Sequence, residues 1–80
     1  MTPAIIARVR ANYEAQLRAE YGTDEHTRLV REYRALVAEA VGPSPAALRA
    51  VVKLARLNAD RVLFNFACEV YQASKFQEAA

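Results

Sequence analysis

The sequence predicts an all-α protein, on three observations. Apolar residues recur at steps of three and four along nearly the whole chain. The two glycines and three prolines stand where one periodic run stops and the next starts. No stretch alternates apolar and polar residues as a strand does. The runs predict helices over 3–21, 24–41 and 45–76, within one domain covering residues 1–80.

The first helix begins with Thr2 as cap and Pro3 at the first helical position, where a missing N–H costs nothing. Ile6, Val9, Tyr13, Leu17 and Tyr21 form its stripe, with Ile5 beside it. Gly22 supplies the left-handed residue that closes it.

Thr23 or Asp24 caps the second helix, and Asp24 and Glu25 suit the positive end of its dipole. His26, Val30, Tyr33, Val37 and Ala40 make the stripe, flanked by Leu29 and Leu36. Gly42 and Pro43 stop it. The short link at Gly22-Thr23 implies an antiparallel hairpin with the two stripes facing each other.

Ser44 caps the third segment and Pro45 opens it. Neither glycine nor proline follows, so one long helix is expected, with Asn58-Ala59-Asp60 as the place for a kink. Two helices split at Asn58 are the alternative. The stripe runs through Leu48, Val52, Ala55, Ala59, Val62, Phe66 and Ala73.

Size then bears on assembly. A chain of 80 residues hides only about 60% of its unfolded surface and ordinarily needs extra support. A single cysteine, Cys68, excludes an internal disulfide, and with a single histidine, His26, it excludes a sulfur–imidazole zinc cage. No metal and no cofactor is expected. A second subunit is the remaining support, and the 54% hydrophobic content agrees with one. Around the wheel from Val62 to Tyr71, apolar residues occupy about 240° of the circumference, whereas packing on one side needs little over 100°. A helix of about 45 Å also outruns the hairpin that would cover it. Val62, Leu63, Phe64, Phe66, Val70 and Tyr71 are therefore the expected interface with another copy, so that self-association completes a small helical bundle. The competing arrangement is a four-helix monomer in which the last helix is central.

For chemistry the sequence offers little. The two glycines are too far apart for a phosphate loop, and Ser44 and Ser74 lack a nucleophile's surroundings. His26 has no carboxylate placed against it, and the neighbours of Cys68 do not favour a thiolate. An enzyme is not expected. Charge is more informative. Arg28, Arg31 and Arg34 interleave with Glu25 and Glu32, which points to salt bridges on a wet face. Arg49, Lys53 and Arg56 fall at i, i+4 and i+7 and share one helical face, with only Asp60 nearby. This trio is a candidate anion-binding site. The plainer alternative is a solvated face with Arg56 paired to Asp60.

The expected function is that of a small homo-oligomeric interaction protein: an adaptor, inhibitor or regulator that works by protein–protein contact. Its partners are itself and a further, unidentified protein. The alternatives are a nucleic-acid-associated regulator using the basic face, or a binder of a small anionic ligand such as a nucleotide between subunits. The start of the chain lacks a charged-then-apolar leader, and its apolar runs are short, so a cytoplasmic location without membrane partnership is the expectation.

Overall fold

The computed structural model describes residues 1–42 and 44–79, with side chains through Lys75. Pro43, expected to help stop the second helix, lies outside the described residues. The described residues form four helices and no strand: α1 (Pro3–Arg18), α2 (Asp24–Ala40), α3 (Pro45–Leu57) and α4 (Arg61–Ala79).

The helix starts follow the capping chemistry. The hydroxyls of Thr2, Thr23 and Ser44 each accept a hydrogen bond from the backbone N–H three residues on, at 3.2 Å. Proline occupies the first turn of α1 and of α3. α1 stops at Arg18, short of the expected Tyr21, and Gly22 takes its positive φ of 87° in the turn beyond. Tyr21 thus leaves the helical stripe and is 88% exposed.

The expected continuous helix over 45–76 is instead two helices. Asn58 ends α3, and Ala59 turns left-handed at φ 53°. The Ala59 N–H donates to the Arg56 carbonyl at 3.2 Å and the Asp60 N–H to the Ala55 carbonyl at 2.8 Å. This is the Schellman pattern, with alanine where glycine is usual. Asp60 then caps α4, its Oδ1 accepting from the Leu63 N–H at 3.2 Å. One residue closes a helix and the next opens another, so the chain reverses without glycine or proline.

The reversal decides the packing. α4 lies against α1, α2 and α3, while the backbone of α3 approaches α4 alone among the described helices. Phe66 and Val70 of α4 meet Val9, Leu36, Ala40 and Leu48 in a common core. Phe66 stands edge-on to Tyr33, ring centroids 5.8 Å apart. α1 and α2 pack together through Asn12, which is buried: its Nδ2 donates to the Leu29 carbonyl at 2.9 Å, and its Oδ1 accepts from Gln16 at 2.6 Å. The buried side of α2 is Leu29, Leu36 and Ala40, with the expected stripe residues Val30, Tyr33 and Val37 only half-buried. In α1, Asn12 takes the inward position that apolar counting gives to Tyr13 and Leu17, which are exposed.

Candidate anion-binding and contact face

α3 has one face for α4 and one for solvent. Leu48 and Ala55 point inward and are fully enclosed, with Val51 and Val52 half-buried beside them. At 100° per residue, Arg49, Lys53 and Arg56 occupy an arc of about 60° on one flank. All three are exposed. Further round lie Ala47, Ala50, Leu54 and Leu57, at successive spacings of three, four and three. Leu54 is 58% exposed and Leu57 75%.

The three cations have no ion-pair partner among the described residues. Among the described residues their one side-chain hydrogen bond runs from Arg49 Nε to the Pro45 carbonyl, at 3.4 Å. Of the other arginines, Arg31, Arg34 and Arg61 likewise have no ion pair among the described residues, and four are engaged. Arg8 pairs with Glu39, Arg10 with Asp60, Arg18 with Glu14, and Arg28 with both Glu25 and Glu32. The Glu25–Arg28 contact holds the Glu25 carboxyl below its usual range. The pairing of Arg56 with Asp60 does not form. It requires an unbroken helix from 56 to 60, and the left-handed Ala59 removes that geometry. Asp60 turns to Arg10 instead, at 2.6 Å.

The turn also enlarges the basic face. Because α4 runs back along α3, Arg61 joins Arg56 and Phe64 around a hollow of 220 Å³ at the turn, which Asp60 also lines. Further along, Arg49 and Lys75 share a cleft of 410 Å³ with Tyr71 and Cys68. The Lys75 ammonium sits 5.1 Å from the Tyr71 ring centroid, a cation–π contact. Arg61 and Lys75 were not legible as members of the site. The one signal for them was the Asn58-Ala59-Asp60 break, which decides whether α4 lies beside α3. Leu54 and Leu57 were also missed, although a leucine opposite the Leu48–Ala55 face is itself a sign.

The residues expected to meet another copy divide in two. Phe66 and Val70 are fully enclosed by the chain's own helices, so their surface is already used. Val62, Leu63, Phe64 and Tyr71 are half-buried. α4 packs against α1, α2 and α3, and Phe64 and Tyr71 keep part of their surface open. Cys68 is a half-buried free thiol, and the His26 ring packs on Tyr21 at 5.2 Å.

A third cleft, of 490 Å³, opens between α1, α2 and α4 and includes Tyr13, Tyr33, Asn65 and Glu69. Burial, and then the Glu69 carboxylate, push the Tyr33 phenol well above the usual tyrosine value. Among the described residues no three His, Cys, Asp or Glu side chains gather to hold a metal, and no helix is long and apolar enough to cross a membrane. Compared with protein-family models, curated proteins and solved structures, the chain matches none.

Proposed function

We propose that this protein works by contact, as a small helical interaction protein, and that α3 is its working surface. The observation that carries the reading is the exposure of Leu54 and Leu57 beside three cations without ion-pair partners. Exposed together, two leucines of one helix form the apolar centre that a partner covers, and the cations form its polar edge. Self-association through α4 loses its main support, since Phe66 and Val70 are committed to the core. The partner proposed for α3 is a different protein.

Affinity capture from the native cell, with wild type beside the Leu54→Ser/Leu57→Ser double variant, tests this. A protein retained by wild type and lost by the variant is the expected result. Identical captures from both would overturn it. Light scattering on the same samples reports any second copy.

One observation favours a second reading, the binding of an anionic polymer. Arg49, Arg56, Arg61 and Lys75 border the α3–α4 groove together with Phe64 and Tyr71, and cations interleaved with aromatic rings suit single-stranded nucleic acid. That reading predicts binding that weakens steeply with added salt.

A further inference from the structure

We infer that the occupant of the outer face of α3 is an acidic amphipathic helix of another protein. The inference rests on the contact reading above and names the partner's chemistry. Four features of α3 lead to it.

Ala47, Ala50, Leu54 and Leu57 repeat at the three-four spacing that seats one helix against another. Exposed alanines at one end of this seam let a second backbone come close, and exposed leucines at the other end supply area to bury. The seam lies opposite the Leu48–Ala55 face, and α4 is the one described helix whose backbone approaches α3. A partner can therefore dock without disturbing the core.

Charge selects the partner. Arg49, Lys53 and Arg56 run along one edge of the seam, exposed and without an ion-pair partner among the described residues. A partner helix with carboxylates along the matching edge meets all three, which sets orientation and speeds encounter. The α3 of a second copy does not fit. α3 contains no acidic residue, so neither a parallel nor an antiparallel α3 offers a counter-charge. In an antiparallel two-fold pair the two cationic edges would face each other. An anionic lipid surface also satisfies the cations. It favours bulky apolar anchors, however, and this seam gives it two leucines among alanines.

The test uses the full chain and a synthetic helical peptide of about three heptads, with leucines at the three-four spacing and glutamates along one edge. A matched peptide carries lysine for glutamate. The acidic peptide should perturb the backbone amide resonances of Ala47, Ala50, Leu54 and Leu57, while the lysine peptide should not bind. Lys53→Glu/Arg56→Glu should weaken the acidic peptide by about tenfold or more and gain binding to the lysine peptide. Both substitutions are on the surface, and unchanged circular dichroism confirms that the variant is folded.

Equal binding of both peptides, no binding of either, or perturbations elsewhere would overturn the inference. So would a single-stranded oligonucleotide, or vesicles of anionic lipid, acting on the same amides at lower concentration. A doubled molar mass that protects Leu54 and Leu57 would assign the face to a second copy. The two proposals fail separately. A captured partner that is lost with the leucine variant but kept by the charge-reversed variant leaves the contact reading standing and removes the acidic helix.

Discussion

Arg10 grips Asp60 with both ends of its guanidinium, Nη2 to Oδ2 at 2.6 Å and Nη1 to Oδ1 at 3.1 Å. The pair joins α1 to the turn between α3 and α4, fifty residues away in sequence. The contact raises the pKa of Arg10 and, with the Leu63 N–H, holds the Asp60 carboxyl below the usual range.

Asp60 therefore serves as cap and as ion-pair partner, and substitution separates the two roles. Asp60→Asn keeps a capping oxygen, so it should cost under about 1 kcal/mol, the value of an exposed pair. Asp60→Ala removes both and should cost about 1–2 kcal/mol, read from urea unfolding. Because the folded pKa is depressed, the carboxylate stabilises the protein above the unfolded value of about 3.9, and this is lost as pH falls through the folded value. Wild type should lose more stability than Asp60→Asn on that descent.

Ala59→Gly should raise stability. At φ 53° alanine carries a backbone strain that glycine avoids, so a gain of about 1 kcal/mol and a melting point higher by about 4–8 °C are expected. In an unbroken helix the same change would cost about 1 kcal/mol. The sign of the thermal shift therefore tells one long helix from two.

Asn12→Asp tests the buried amide between α1 and α2. A carboxylate cannot donate to the Leu29 carbonyl and is costly to bury, so the variant should lose several kcal/mol at neutral pH and recover part of it on acidification, when the acid regains a proton to donate. Denaturant midpoints at two pH values read the difference.

Phe66→Ala should cost about 3–5 kcal/mol, since its ring is fully enclosed. Total stability for 80 residues is about 4–12 kcal/mol, so the variant should lose about a quarter of it or more, read as a lower denaturant midpoint by circular dichroism. Leu57→Ser, at an exposed position, should stay within about 0.5 kcal/mol of wild type.

Tyr33 gives an alkaline prediction. Its folded pKa is raised, so its contribution is complete below the unfolded value of about 10 and is lost as pH rises toward the folded one. Tyr33→Phe should blunt the loss of stability above about pH 10. A spectrophotometric titration of the variant should lack the most alkaline phenolate step.

The all-helical class and the helix starts were legible because Thr2, Thr23 and Ser44 act locally, through a hydroxyl and a backbone N–H three residues on. The end of α3 was not. Its Schellman turn uses Ala59, and alanine is the residue most at home inside a helix. Asn58 and Asp60 marked the place, but not the outcome. That one turn also hid the groove that gathers Arg61 and Lys75, and it enclosed Phe66 and Val70, which a longer helix would have left bare. Asn12 misled in another way: counting apolar residues assigns a polar one to solvent, and here the Leu29 carbonyl takes it inside. Arg49, Lys53 and Arg56 were legible as a group because their spacing holds on any helix containing them.

The central place of α4 has a consequence for how the chain acquires its structure. The segment that Val9, Leu36, Ala40 and Leu48 all close around follows the other three helices in sequence. During synthesis the first three helices lack the centre of their shared core until Phe66 and Val70 emerge from the ribosome. Folding is thus postponed until α4 has been made, and a chain cut after Leu57 should remain an unfolded, protease-sensitive fragment.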